Sequence, residues 1–199
     1  MSQTKDLLMD ATMEIIAQTG FAGFSMKQVT QKVGVNEALI YKYFETKENL
    51  LNQCFESIHK QVAQLYTNTI FPKTNDFQEI YLFVRNLWMN YFDFLVQNDY
   101  RTIFYFEYRD SIYVNNILKD SLGKDSYFSN FVVMMHALYS YIGIQENANA
   151  ELFWDFILDT TGMMAKRVIR QEMKDVPQVK EQMWQLIYGG ASAFLKNGQ

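Results

Sequence analysis

The chain has 199 residues, a formal net charge of −4, 49% hydrophobic residues and 20% charged ones. That apolar share excludes a disordered chain and suits either one large domain or a small head on a larger body. Only 2 prolines and 9 glycines argue against a loop-rich or all-β chain, and the single cysteine, Cys54, excludes an intrachain disulfide framework or a cysteine-based zinc site and fits a reducing, cytoplasmic compartment.

The opening segment MSQTKDLLMDATMEII is amphipathic and carries acids, so it reads as a helix and not as a signal peptide. The helix runs from Lys5 to Thr19, with Leu7, Leu8, Ala11, Ile15 and Ile16 at helical spacing and Gly20 as its stop. Phe21 and Phe24 read as packed. Ser25 and Gln28 have the spacing of a capping box and open a short helix, Met26 to Val33, that buries Met26, Val29 and Val33. Gly34-Val35-Asn36 forms a tight turn, and Asn36 caps a second short helix, Glu37 to Phe44. Thr46 caps a long helix from Lys47 to Ile70, whose stripe is Leu50, Leu51, Cys54, Ile58, Val62 and Leu65. The stripe makes Cys54 a core residue, not a redox switch. Pro72 marks a break. Helices follow at Phe77–Gln97, Tyr100–Arg109 and, shorter, Ile112–Leu118, with a loop around Gly123. The last three are expected at Tyr127–Gly143, Ala148–Met173 and, after a break at Pro177, Val179–Leu195. No strand-like alternation is present, so the fold class is all-α, with about nine helices. Its division is a three-helix head, residues 1–46, and a larger helical body, residues 47–199. No run of about 18 uninterrupted apolar residues occurs, so no membrane span is expected.

The stretch Gly20 to Leu51 carries a glycine-aromatic pair (Gly20, Phe21), the hydroxyl cap Ser25, the Gly34-Val35 turn, the Ile40-Tyr41-Lys42-Tyr43-Phe44 ending and the Lys47-Glu48 start followed by Leu50-Leu51. It resembles the DNA-binding domain of TetR-family transcriptional regulators, continuously and through the first helix. The resemblance implies a helix-turn-helix head whose second short helix lies in the major groove. It places Ser25 near a phosphate at the start of the first short helix, with Lys27 as a further DNA contact and Gln28 available for amide readout of a base. It turns Asn36, Glu37, Ala38 and Leu39 toward base edges, and it sets Tyr41, Lys42, Tyr43 and Lys47 on phosphates or a base. Val29, Val33, Val35, Ile40 and Phe44 are then core. The chain departs from the family at Glu37, usually basic or small and polar, at Leu39, usually Thr or Ser, and at Thr30, usually Ala.

Charge is compatible with this. Met26 to Lys47 holds four lysines (Lys27, Lys32, Lys42, Lys47) and two acids (Glu37, Glu45), a local excess of +2 in an acidic chain. The first arginine is Arg85, so the head lacks the bidentate arginine–guanine contact, and an A·T-leaning palindrome is expected.

The resemblance further implies a homodimer built by the last two helices, with Phe153, Ile157, Thr161 and Met164 marking one face and Trp184, Ile187 and Ala191 the other. It implies a body cavity for a small effector. Aromatic and methionine residues crowd between positions 88 and 141, and Trp88, Phe92, Phe104, Tyr108, Phe131, Met135 and Tyr139 are the candidate lining for an apolar or aromatic ligand. Glu107 and Asp110 are placed to favour a cationic one. The expected function is a ligand-responsive transcriptional repressor, bound to double-stranded DNA until the effector arrives. The alternative is a DNA-binding protein controlled by a protein partner. No phosphate loop, nucleophile elbow or metal-ligand cluster is present, so an enzyme is not expected. No cofactor or metal is expected either, since His59 and His136 are the only histidines.

Overall fold

The computed structural model describes residues 3–67, 69–113, 126–145 and 148–195. Among the described residues there are nine helices: α1 (Gln3–Gly23), α2 (Met26–Val33), α3 (Glu37–Phe44), α4 (Lys47–Thr67), α5 (Phe77–Gln97), α6 (Asp99–Arg109), α7 (Ser126–Tyr141), α8 (Ala150–Ile169) and α9 (Pro177–Ser192). The only pairing of extended backbone among them is an isolated antiparallel bridge between Ile144 and Leu195. Apart from Ile112 and Tyr113, the helix expected at 112–118 and the loop around Gly123 lie outside the described residues.

Local chemistry sets most of the helix ends. Gly20 adopts φ 68°, ψ 174°, a conformation open in practice only to glycine, and it kinks α1 before a last turn to Gly23. Gly34 caps α2 in the left-handed conformation, with φ 77°. The Asn149 side chain accepts from the Leu152 N–H at 2.9 Å and starts α8 slightly later than expected. Pro177 does not sit in the break, as its reading as a helix breaker had it. It is the first residue of α9, where a missing N–H costs nothing. At the other end α9 stops at Ser192, because Leu195 leaves the helix to pair with Ile144, and Gln145 N–H donates to the Phe194 carbonyl at 2.9 Å.

The chain divides into two compact units, Met1–Gln61 with Asn98–Asp125, and Val62–Gln97 with Ser126–Gln199. The first unit is larger than a head ending at residue 46, because α6 packs along α1. Arg101 Nη2 donates to Asp10 Oδ1 at 2.7 Å, and the Phe21 ring rests against Phe104 and Tyr108 with centroids 6.3 and 6.4 Å apart. The Tyr108 hydroxyl donates to Asn52 Oδ1 of α4 at 2.5 Å. Leu8, Ile16, Val29, Ile40, Phe44, Leu50 and Leu51 form the unit's fully buried centre. Val33 and Val35, expected in that core, are only half-buried at the edge of the turn.

The second unit joins α5, α8 and α9. Trp88 Nε1–H donates to Thr161 Oγ1 at 2.9 Å, and Trp184 Nε1–H donates to the Tyr81 hydroxyl at 2.8 Å. Arg85 pairs with Glu181 at 2.5 Å, and Lys180 bridges Asp93 and Asp175 at 2.5 and 3.0 Å. The Trp184–Tyr81, Arg85–Glu181 and Lys180–Asp93 bonds tie α5 to the N-terminal half of α9, and Trp88–Thr161 ties it to α8, so burial of the aromatic stripe is accompanied by polar pinning.

Candidate DNA interface and effector cavity

The first unit presents α2 and α3 as two short helices joined by Gly34, Val35 and Asn36. Their start sites are built from side chains. Ser25 N–H donates to Gln28 Oε1 at 2.7 Å, and Gln28 N–H donates to Ser25 Oγ at 3.4 Å, a reciprocal capping box. Leu39 N–H donates to Asn36 Oδ1 at 3.0 Å, and Asn49 N–H donates to Thr46 Oγ1 at 3.0 Å. Ser25, Gln28 and Asn36, all expected to meet DNA, therefore hold helix starts. The two amide groups that sequence marks as base readers each have an oxygen already engaged.

The other residues expected at the interface are outward or half-buried. Lys27, Asn36, Glu37, Ala38, Tyr41 and Lys42 are exposed, while Leu39, Tyr43 and Lys47 are half-buried. Opposite them, Ile40 and Phe44 of the same helix are fully buried, so α3 is anchored by one stripe and offers the rest. The lysines differ in their freedom. Lys32 is paired with Glu14 at 2.7 Å, and Lys47 Nζ lies 4.9 Å from the centroid of the Phe24 ring. Lys27 and Lys42 have no ion pair among the described residues and carry the available positive charge.

The α3–α4 junction is unusually sharp. Glu45 has φ 60°, ψ −47°, and Thr46 N–H donates to the Phe44 carbonyl at 2.6 Å, a γ-turn with positive φ. A non-glycine residue there is strained. The turn lets α4 begin two residues after α3 ends, which keeps Lys47 close to Tyr43 in sequence and in register.

Residues 8–54 match the family described as bacterial regulatory proteins, tetR family. The head is a TetR-family DNA-binding domain. This sets residues 8–54 with DNA-binding domains. Along 139 residues the chain is 27% identical to the probable HTH-type transcriptional regulator YttP of Bacillus subtilis (strain 168), a match covering 65% of this chain and 63% of that protein. The fold continues through the body. A TetR family transcription regulator from Marinobacter aquaeolei VT8 superposes with TM-score 0.73 at 17% identity, covering 94% of each chain. The regulator FadR from Bacillus subtilis, solved in complex with stearoyl-CoA, superposes with TM-score 0.64 at 18% identity, covering 93% of this chain and 98% of the other.

The second unit holds an open cavity of about 360 Å³. Phe77, Tyr81, Val84, Trp88 and Tyr91 line it from α5, Met135 and Leu138 from α7, and Phe153, Trp154 and Ile157 from α8. Trp184, Tyr188 and Ala191 of α9 and Tyr66 near the end of α4 complete the wall. Of the residues expected to line it, Trp88 and Met135 do so. Phe92 is fully buried beside Trp88 and does not reach the cavity, and Tyr139 packs edge-on against Phe153 outside it. Phe104 and Tyr108 belong to the first unit, where they receive Phe21. The side chain of Phe131 lies outside the described residues. Glu107 and Asp110 are also in the first unit and give the cavity no negative wall. The missed α5 stripe follows the i, i+4, i+7, i+11 spacing of one helix face, a signal present in the sequence.

The face expected to form the dimer is turned inward. Phe153, Thr161, Met164, Trp184 and Ile187 are buried within the single chain, and Ile157 and Ala191 face the cavity. Their periodicity marks the helix face that meets α5. The outward apolar residues of the same helices are Leu152, Met163 and Leu186, at 57, 50 and 68% exposure. Gly190 of α9 takes the Phe156 ring of α8 so closely that a Cβ has no room.

The remaining titratable candidates are structural. Cys54 is fully buried with Sγ 3.7 Å from the Met9 carbonyl, and burial, then Asp10, pushes its thiol far above the usual range. His59 lies beside the stacked Phe55 and Tyr105 rings, with Nδ1 2.9 Å from the Tyr105 hydroxyl; burial and then Arg109 lower its pKa to about 4. His136 is exposed. Among the described residues no group of three or more His, Cys, Asp or Glu is placed to hold a metal, and no helix is long and apolar enough to cross a membrane.

Proposed function

We propose that this chain is a cytoplasmic transcriptional repressor that binds a palindromic operator as a homodimer and leaves it when a small apolar ligand enters the second unit's cavity. The observation that carries the reading is α3. It is anchored by Ile40 and Phe44 and presents Ala38, Tyr41 and Lys42 to solvent beside a capped α2. A small exposed residue flanked by a phenol and an ammonium suits close approach to a groove with phosphate contacts on either side.

Dimerisation is assigned to α8 and α9 through the outward stripe of Leu152, Met163 and Leu186. In the dimer the two α3 helices stand about 34–36 Å apart, one turn of DNA. Glu37 can accept from cytosine N4 and Leu39 can meet a thymine methyl, and with no arginine before position 85 the operator leans to A·T. Ligand response is assigned to α4, because Tyr66 lines the cavity near one end of the helix and Lys47 begins the other. The open cavity supports control by a small molecule over control by a protein partner alone.

The test is selection of binding sites from a random duplex pool at a stated salt concentration. Enrichment of a two-fold symmetric, A·T-leaning sequence supports the proposal. Enrichment of a single half-site, or of none at low salt, overturns dimeric operator binding. The variant Leu186→Glu is expected to bind the selected palindrome as a monomer at least about tenfold more weakly, since a charge then faces the partner's apolar stripe.

A further inference from the structure

The reading of the cavity as the effector site says nothing of the effector's charge or polarity, but the wall does. Among the described residues no Lys, Arg, His, Asp or Glu lines it. The nearest ion pairs on the same helices, Arg85 with Glu181 and Lys180 with Asp93, are already closed on themselves. A carboxylate or an ammonium entering this space sheds its water and meets no counter-charge, which is strongly unfavourable. Mostly aliphatic and aromatic side chains line the cavity, and about 360 Å³ lies at the small end of ligand sites.

One polar handle is defined. The Tyr81 oxygen accepts the Trp184 indole N–H at 2.8 Å, and both residues line the cavity. That bond consumes an acceptor site of the phenol and leaves its own proton to donate. A donor polarised by an incoming hydrogen bond is a better donor. The neighbouring Tyr188 ring lies edge-on to Tyr81 at 4.9 Å, and burial, then Tyr81, raises its pKa, so Tyr188 stays a neutral phenol.

We infer that this cavity takes an uncharged hydrophobic molecule bearing a hydrogen-bond acceptor, such as an ester or ketone carbonyl, which Tyr81 anchors. The inference rests on the cavity being the effector site, and it excludes the cationic ligand that Glu107 and Asp110 suggested.

The chain carries its own reporter. All 3 of its tryptophans, Trp88, Trp154 and Trp184, line the cavity. The experiment titrates the full chain at neutral pH with methyl decanoate, decanoate and decylammonium, each below its micelle concentration, and reads tryptophan emission. Saturable change with the ester is expected, with the two ions at least about a hundredfold weaker. Tyr81→Phe is expected to weaken the ester by about three- to tenfold, the loss of one hydrogen bond. Ala191→Phe, which fills the wall, is expected to abolish the response while helical circular dichroism persists. Either ion binding within tenfold of the ester overturns the inference, as does an unchanged affinity in Tyr81→Phe or an ester response that survives Ala191→Phe. An ester that leaves emission unchanged in a chain that still holds its duplex also overturns it, with the regulator reading intact. A chain that holds no duplex sinks the regulator reading and leaves the emission result to stand alone.

Discussion

His59 makes the first unit acid-sensitive by a calculable amount. Its side chain is enclosed by Phe55, Tyr105 and the rest of α4, with the Arg109 guanidinium nearby, and its pKa in the folded chain is about 4 against an ordinary 6.5. The folded state therefore prefers the neutral ring. Above 6.5 both folded and unfolded chains hold it neutral, and its contribution to stability is fully present. Between 6.5 and about 4 the unfolded chain takes up a proton that the folded chain refuses, so stability falls. At about 1.4 kcal/mol per pKa unit the loss is about 3 kcal/mol by the lower end, a large share of a typical folding free energy. Other carboxylates titrate over the same range, so the comparison is with His59→Gln, which keeps a polar side chain and removes the titration. Urea denaturation of both proteins across this range isolates the difference. The wild type is expected to lose about 3 kcal/mol relative to His59→Gln as pH falls from neutral to about 4. A stability difference between the two that stays flat with pH refutes the argument.

Three further outcomes follow from the geometry. Glu45→Gly is expected to raise stability by about 1 kcal/mol in denaturant titration, because relief of the strained positive φ outweighs the added freedom of the unfolded glycine. Thr161→Val is expected to cost about 1–3 kcal/mol, since the buried Trp88 N–H loses its acceptor while the side-chain volume is kept; an unchanged urea midpoint contradicts this. Lys27→Ala is expected to weaken binding to all duplexes alike and to lower the salt slope of log K by about 1; a sequence-dependent loss shows a base contact instead.

The local half of this architecture is legible in the chain. Ser25, Asn36 and Thr46 act over three residues, so spacing alone reveals them, and α2, α3 and α5 begin and end where the pattern puts them. What spacing cannot reveal is which element covers a face. Both α8 and α9 have two apolar sides, Leu152, Met163 and Leu186 outward, Phe153, Met164 and Ile187 inward, and periodicity weighs them alike. The aromatic run from 88 to 141 fails for the same reason. It reads as one cluster, yet α6 turns Phe104 and Tyr108 to Phe21 of α1, while Trp88 of α5 faces Thr161 of α8. Sequence neighbours on either side of the break at Asn98 are not spatial neighbours. Gln28 and Asn36 show a further limit: a residue suited to reading a base is also suited to capping a helix, and the two uses compete for the same oxygen.

The seclusion of Cys54 has a practical corollary. A thiol with no exposed surface and a pKa far above neutrality reacts with maleimides or methanethiosulfonates only when the first unit opens. The native chain is thus effectively thiol-free on its surface. A single cysteine placed at Lys42 or at Leu186 becomes the one labelling site without any background replacement, and spin labels introduced that way test the proposed dimer by the distance between copies of α3 or of α9 in solution.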